Sequence, residues 1–455
     1  MSDEFTRPLQ AAQAYAIEYL EQVADQPVFP GENALAALEA FDEPLPPHGS
    51  ADQEILSMLH ANGSPATVAT MGSRYFGFVV GGSLPVTVAA NWIATAWDQS
   101  PSSYVNSPTG VKLEEVAGRW LREILGLPDH TGIGMTTGAT MANFTGLAAA
   151  RHALLERAGW NVEEQGLYGA PEVKVVVSEE VHVTVEKALS MLGFGKKRVT
   201  RVPTDANGAM VADALPDLDA LTLVCTQAGN VNSGAIDPIG TICDKAHAAG
   251  AWVHVDGAFG LWGKLLARRA DDFIGIEKAD SLATDAHKWL NTPYDCGIVM
   301  TRHPHDLHMA MATVAPYFKA EESMAPKDMV PEFSRRARGV EVWAALRSLG
   351  PAGLKSMIGR CCDHAQAFAE GLKAIGFEVL NDVVLNQVVA TIGTPEELAD
   401  IRALVEASGE CWFGPTVWKG RSAIRVSVSS WRTTDEDVER SLSAIAAAKN
   451  AIMGD

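Results

Sequence analysis

A lysine and an aspartate near the middle of the chain have the surroundings of catalytic residues. Lys288 follows the short apolar run at 281–284, and Asp256 ends the apolar run at 251–256. A lysine amine can form a Schiff base with an aldehyde cofactor. An aspartate can keep a pyridine nitrogen protonated, so that the ring accepts the electron pair left when a bond to an amino acid Cα breaks. Isolated Lys and Asp residues are usually solvated, but this pair after two apolar runs predicts a pyridoxal 5'-phosphate (PLP) site.

The segments around this pair predict the elements that position it. Residues 221–226 and 251–256 are short apolar runs rich in β-forming residues, and residues 238–249 between them have helical composition. This order predicts a βαβ unit in a mostly parallel sheet covered by helices. Ligands of such sheets bind beyond the carboxyl ends of the strands, where Asp256 falls.

A phosphate site is predicted at the entry to another helix. Residues 135–143 are rich in Gly, Thr and Ala and precede a helix-like run at 144–158. Free backbone N–H groups at a helix N-terminus suit a dianionic phosphate, and Gly138, Ala139 and Thr140 are the candidate cradle. A plain capping turn has a similar composition. His182 is a candidate for stacking on the pyridine ring, although a histidine among apolar neighbours often has only a structural role.

Together these segments resemble the group II PLP-dependent amino-acid decarboxylases, which include aromatic-amino-acid, histidine and glutamate decarboxylases. The resemblance extends over most of the chain in the same order and spacing, and it includes the motifs at 19–21, 27–30, 73–77, 135–143, 335–338 and 423–430. It implies an α/β architecture of PLP fold type I, similar to aspartate aminotransferase, with a mostly parallel central sheet, an N-terminal helical arm and a small C-terminal α+β domain. The expected divisions are 1–85, 86–345 and 346–455.

The resemblance also implies roles for individual residues. His182 is the ring-stacking histidine, Asp256 the partner of the ring nitrogen, Ala258 a small residue beside the ring, His287 a phosphate contact and Lys288 the Schiff-base lysine. Asn230 and Asn232 are candidates for the environment of the cofactor 3-oxygen. No metal is expected.

Two departures from the family pattern bear on the reaction. Asp285 stands where many members carry Asn near the phosphate, which argues against a direct phosphate contact by this side chain. The segment 319–331 lacks the tyrosine by which aromatic decarboxylases protonate the product carbanion. Tyr317, just before it, is a candidate substitute and a candidate substrate contact, with a packed aromatic side chain at the base of the loop as the alternative, and His182 is another candidate donor. Arg425 is a candidate for gripping a substrate carboxylate, with a purely structural ion pair as the alternative.

Composition restricts the partners and the compartment. Lys and Arg total 36 against 56 Asp and Glu, and a net charge of −20 argues against binding nucleic acid or anionic membranes. We expect no secretory leader or membrane span. The six cysteines have no CxxC spacing, which favours a reduced cytoplasmic protein.

The predicted function is decarboxylation of an L-amino acid to an amine and CO2, through a Lys288 Schiff base and a quinonoid intermediate, in a homodimer with its sites near the interface. The side chain of the substrate is left open. The alternatives are a PLP-dependent aminotransferase, a decarboxylating aldehyde synthase in which oxygen intercepts the carbanion, or a catalytically silent PLP-fold binding protein.

Overall fold

The computed structural model describes residues 3–313 and 325–454. Contacts group the chain into two compact units, each with a β-sheet. The larger unit contains residues 81–365 and 381–387, and the smaller unit contains 1–80, 366–380 and 388–455. The N-terminal segment thus shares a unit with C-terminal segments. The division into three parts at 85 and 345 remains a prediction.

The bounds of the regular elements follow. The helices are α1 (Asp3–Gln22), α2 (Glu32–Ala36), α3 (Asp52–Met58), α4 (Pro85–Trp97), α5 (Pro108–Leu125), α6 (Ala139–Arg157), α7 (Val162–Gln165), α8 (Val183–Met191), α9 (Ile239–Ala248), α10 (Pro304–Met311), α11 (Gly339–Ala374), α12 (Pro395–Ser408) and α13 (Asp435–Met453). The strands are β1 (Tyr75–Phe76), β2 (Gly132–Thr136), β3 (Lys174–Ser178), β4 (Val199–Val202), β5 (Thr222–Gln227), β6 (Trp252–Asp256), β7 (Ser281–Asp285), β8 (Gly297–Thr301), β9 (Glu378–Val379), β10 (Gln387–Thr391), β11 (Trp412–Trp418) and β12 (Arg421–Ser427).

The seven-stranded sheet of the larger unit is mostly parallel. Its order is β2-β8-β7-β6-β5-β3-β4, and β8 alone among these strands runs antiparallel to its neighbours β2 and β7. The predicted β5-α9-β6 unit is present, with β5 and β6 adjacent and parallel. Mostly parallel sheets bury both faces, which explains why β5, β6 and β7 are buried along their whole length. The predicted α/β fold class is confirmed.

Helix α6 forms much of the core on one face of this sheet. Leu147 and Leu154 of α6 are fully buried and belong to the same apolar cluster as Trp252 of β6. His254 of β6 ties the helix to the strand layer, because its Nε2 lies 2.9 Å from the Asn143 side-chain oxygen and its Nδ1 lies 2.8 Å from the Ser281 hydroxyl. The N-terminus of α6 is therefore fixed relative to the strand ends.

The five-stranded sheet of the smaller unit has the order β1-β11-β12-β10-β9. Strands β11 and β12 form an antiparallel pair, and β1 adds in parallel to β11 through the Tyr75–Trp412 and Phe76–Phe413 pairs. The N-terminal segment, expected to be an arm without a sheet layer, thus contributes a two-residue strand. Helices α12 and α13 pack together in the same unit, as an α+β arrangement requires.

Helix α11 starts earlier than predicted. The sequence favours a helix at 353–375, whereas helical structure begins at Gly339 and is interrupted at Gly350, which has φ 57° and ψ 179°. Pro351 follows this break and starts the second segment, because proline is tolerated in a first helical turn. Within 3–313 and 325–454, none of the helices is long and apolar enough to cross a membrane.

Candidate active site

Chemically functional side chains lie at the carboxyl ends of neighbouring parallel strands. His182 is the N-cap of α8 after β3, Gln227 is the last residue of β5, and Asp256 is the last residue of β6. Lys288 follows β7 by three residues. Gln227 pairs in register with Asp256, which in turn pairs with Ala283 of β7. Since the carboxyl ends of parallel strands meet at one edge of a sheet, the structure brings the predicted residues His182, Asp256 and Lys288 to the same edge, together with Gln227.

The Asp256 carboxylate is buried and held by the turn that follows it. Its Oδ1 accepts a hydrogen bond from the Ala258 backbone N–H at 3.1 Å, and its carbonyl accepts one from the Ala228 N–H at 2.9 Å. The Ala258 carbonyl accepts a bond from the Asp285 N–H at 2.9 Å, so the β6 and β7 turns support each other. A fixed, buried carboxylate favours the cationic form of a nearby ring nitrogen.

Two buried amide nitrogens near this carboxylate lack hydrogen-bond partners in the described part of the chain. They are Nε2 of Gln227 and Nδ2 of Asn230. The Asn230 oxygen accepts bonds from the N–H groups of Asn232 and Ser233 at 2.8 and 3.2 Å, which fixes the orientation of its amide. A buried unsatisfied donor costs about 1–3 kcal/mol. These two nitrogens therefore fit an acceptor such as the 3-oxygen of PLP.

The Lys288 amine forms an ion pair with Asp285. Its Nζ lies 3.0 Å from Asp285 Oδ2, and the lysine side chain is only 20% exposed. The backbone of Gly81 packs so closely on this region that a Cβ there would overlap the Lys288 carbonyl oxygen. The Asn291 side chain donates to the same carbonyl at 3.3 Å. The amine of Lys288 is thus held beside Asp285, the last residue of β7.

The predicted phosphate cradle lies at the N-terminus of α6. Ala139 and Thr140 are the first two residues of this helix, and Gly138 precedes them. Gly297 of β8 packs directly against Gly138, where any side chain would overlap the Gly138 backbone. The Ala139 N–H donates to Asp285 Oδ1 at 2.6 Å. The helix N-terminus thus holds an anion, and that anion is a side chain of the protein.

His287 lies beside this helix entry as a buried, neutral imidazole. Its Nδ1 accepts a hydrogen bond from the Cys296 N–H at 3.1 Å, which assigns the ring proton to Nε2. Nε2 lies 3.5 Å from Asp285 Oδ1, and the ring stacks on Tyr294 with 4.3 Å between centroids. Burial lowers the pKa of His287. The Nε2–H is therefore a donor available to an anion at the cradle, as the predicted phosphate contact requires.

Of the remaining predicted residues, the structure describes His182 and Arg425. His182 is half-buried, and its Nδ1 lies 2.7 Å from the Thr184 hydroxyl. Arg425 belongs to β12 of the smaller unit, and burial lowers its pKa. Tyr317 lies outside the described residues. Ring stacking by His182 and substrate contacts by Arg425 and Tyr317 stay predictions.

Three features of this edge escaped the sequence analysis. Gln227 ends an apolar strand just as Asp256 does, so its position was a usable signal. The packing of Gly81 on Lys288 and the bond between Ala139 and Asp285 join residues far apart in sequence, and no local pattern reveals them.

The donor set fits PLP. It offers a buried carboxylate for the ring nitrogen, two unpaired amides for the 3-oxygen, a lysine amine for the aldehyde, and backbone and imidazole N–H groups for the phosphate. Together with the mostly parallel sheet, this arrangement defines a PLP enzyme of fold type I.

Comparisons with known proteins identify the family. Residues 36–392 match the pyridoxal-dependent decarboxylase conserved domain. The aromatic-L-amino-acid decarboxylase of Bacillus atrophaeus is 27% identical, with 93% of this chain and 90% of that protein covered. The L-2,4-diaminobutyrate decarboxylase of Rhizobium meliloti is 29% identical, with coverages of 89% and 83%.

Solved structures agree on the fold. The Oryza sativa TDC crystallised with PLP and tryptamine superposes with a TM-score of 0.91 at 24% identity, and it covers 100% of this chain and 99% of its own. Mouse CSAD superposes with a TM-score of 0.89 at 21% identity, with coverages of 97% and 98%. The chain belongs to the pyridoxal-dependent decarboxylase family. The expected PLP cofactor and the expected reaction class, decarboxylation of an amino acid, are confirmed.

Proposed function

We propose that this protein converts an aromatic L-amino acid into its amine and CO2, with Lys288, Asp256 and His182 as catalytic residues. The proposal rests on one observation: Asp256 ends β6, and Lys288 lies three residues after the adjacent parallel strand β7. The substrate class is supported by similarity to the Bacillus aromatic-L-amino-acid decarboxylase and to the Oryza sativa tryptophan decarboxylase 1, which is 27% identical over 94% of this chain.

Each residue at the strand ends has a role in this proposal. When bound, PLP supplies a ring that accepts the electron pair left as CO2 departs. Lys288 holds the cofactor aldehyde through its amine and releases it to the substrate amine. Asp256 keeps the ring nitrogen protonated, while Gln227 and Asn230 donate to the 3-oxygen. Asn232 supports Asn230 through its backbone N–H.

The phosphate and the ring faces are assigned to the remaining residues. The N–H groups of Gly138, Ala139 and Thr140 and the Nε2–H of His287 bind the phosphate. Ala258 packs beside the ring, where a larger side chain would crowd it. His182 covers the ring face and delivers a proton to the substrate Cα. Tyr317 is the second candidate for this proton transfer.

Arg425 is proposed to bind a polar group of the substrate away from the scissile carboxylate, since that carboxylate must stand perpendicular to the ring.

We propose a homodimer with the sites near its interface. Helix α4 exposes apolar side chains that a monomer would leave in water, and the segment after it continues the patch; the residues are Val86, Trp92, Ile93, Trp97, Tyr104 and Val105. Exposed apolar patches of this kind mark protein interfaces. A second copy is the proposed occupant, because symmetric dimers are the commonest assemblies of soluble proteins.

We also propose a cytoplasmic location. The six cysteines are buried and form no disulfide bonds, and burial raises the pKa of Cys361 to about 11 and that of Cys243 to about 12. Thiols in this state are structural and suit a reducing compartment.

A decarboxylating aldehyde synthase is the second candidate. The segment 319–331 supplies no tyrosine to protonate the carbanion. The phenylacetaldehyde synthase of Arabidopsis thaliana is 24% identical over 93% of this chain. Such an enzyme consumes O2 and water and releases aldehyde, CO2, ammonia and hydrogen peroxide.

A product assay separates these functions. PLP-loaded protein is incubated with L-tryptophan, L-tyrosine, L-phenylalanine, L-glutamate and L-2,4-diaminobutyrate, with and without oxygen and 2-oxoglutarate, and products are identified by mass spectrometry. We expect an aromatic substrate to give equal amounts of amine and CO2, independent of oxygen. Lys288→Ala should abolish turnover, whereas Lys245→Ala, at an exposed lysine, should not. Aldehyde with equal hydrogen peroxide, or amino transfer without CO2, would refute the proposal.

A further inference from the structure

Asp285 occupies the helix entry that the proposed function assigns to the cofactor phosphate, and the inference below rests on that assignment. Its Oδ1 accepts the Ala139 N–H at 2.6 Å, and its Oδ2 lies 3.0 Å from Lys288 Nζ. The side chain is 2% exposed. One buried carboxylate therefore contacts both the helix N-terminus that suits a phosphate and the amine that must react with the cofactor aldehyde.

The negative charge of Asp285 affects how favourably a phosphate can bind at this helix N-terminus. A helix N-terminus has only a few free N–H groups, and Asp285 uses the first of them. PLP brings a phosphate of about −1.5 to −2 charge at neutral pH. At about 4 Å, two like charges in a partly buried site repel enough to change an equilibrium constant more than tenfold. An asparagine would keep the acceptor for the Ala139 N–H and remove the negative charge.

The Lys288 ammonium offsets this charge only in part. An amine that is to react with the cofactor aldehyde cannot stay committed to Asp285 as an ammonium ion. The imidazole of His287, the other polar group beside Asp285 Oδ1, is neutral because burial lowers its pKa. The carboxylate thus lacks a lasting counter-charge among these contacts.

We propose that Asp285 is a specificity-determining residue for the cofactor, whose carboxylate opposes the phosphate of PLP. It thereby reduces the preference of the protein for PLP over pyridoxal, which has the same ring and aldehyde but no phosphate. Loss of the ion pair to Lys288 affects both ligands alike, because both react with the same amine. The ratio of the two dissociation constants isolates the effect on the phosphate.

The test measures cofactor binding rather than activity. Full-length protein is freed of PLP with hydroxylamine, and PLP and pyridoxal are titrated in parallel by equilibrium dialysis. The variants are Asp285→Asn, which keeps shape and acceptor, and Asp285→Ser, which keeps a short acceptor without charge. Asp295→Asn is the matched control, since this carboxylate pairs with Arg338 at 2.9 Å, and replacing it removes one negative charge from the same part of the chain.

We expect the ratio of the pyridoxal constant to the PLP constant to rise about tenfold in both Asp285 variants and to stay within twofold of the parent in Asp295→Asn. If one Asp285 variant does not fold, the ratio measured for the other variant tests the proposal. A rise below threefold, a fall, or an equal rise in the Asp295 control would overturn the proposal. A purely structural role would lower the thermal midpoint without moving the ratio, and that result would also overturn it.

Discussion

At the scale of single residues, the site depends on charges held in place by backbone groups. The Asp256 carboxylate is fixed by the Ala258 N–H, and the Lys288 amine is fixed by Asp285. Preorganised charge of this kind is usually the largest contribution to a rate enhancement.

Asp256→Ala tests the assignment of the ring-nitrogen partner. The variant should still bind PLP through Lys288 and the phosphate cradle, but the ring loses the charge that keeps its nitrogen protonated. We expect turnover to fall at least about a hundredfold, because electrostatic groups at such sites contribute several kcal/mol. Steady-state kinetics on PLP-saturated protein measures this. Asp213→Ala, at an exposed carboxylate paired with Lys245, is the control, and near-parental turnover of the Asp256 variant would show that another group holds the nitrogen.

The residues that sequence analysis found share one property. Asp256 ends one short apolar strand and Lys288 lies three residues after the next, so the local sequence pattern marks them. The bond between Ala139 and Asp285 joins positions 146 residues apart. Such contacts depend on which strands become neighbours in the sheet, and a local pattern carries no information about that order.

At the scale of elements, strands with continuous apolar runs were predictable and interrupted ones were not. The runs that became β5, β6 and β7 are short, apolar and bounded by turn residues. Strand β11 contains Gly414 and Pro415, both unfavourable in strands, and its pairing with β12 and β1 makes it a strand. Strand β1 likewise exists through its pairing with β11.

The exposed apolar face of helix α4 allows a prediction about the oligomeric state. Ile93 is 51% exposed on its apolar face, so a charge there is tolerated in an isolated chain but costs free energy in a buried interface. We expect Ile93→Asp to sediment as a monomer at micromolar concentration while the parent sediments as a dimer. Leu404→Asp, at a 42% exposed position of α12, should leave the dimer intact. A parental protein that sediments as an active monomer would contradict the proposed dimer.

At the scale of the whole molecule, fold and family are much better preserved than sequence. A TM-score of 0.91 accompanies only 24% identity. Protein cores tolerate extensive apolar substitution when volume and pattern are kept, whereas a charged site tolerates little. A net charge of −20 repels anions at long range, so the attraction for an anionic cofactor has to come from local groups in the site.

Borohydride trapping tests most directly whether Lys288 is the residue that binds PLP as a Schiff base. Purified PLP-saturated protein should be yellow, and reduction should fix one pyridoxyl group per chain, located by peptide mass spectrometry on Lys288. Label on another lysine, or no label on PLP-saturated protein, would contradict the account.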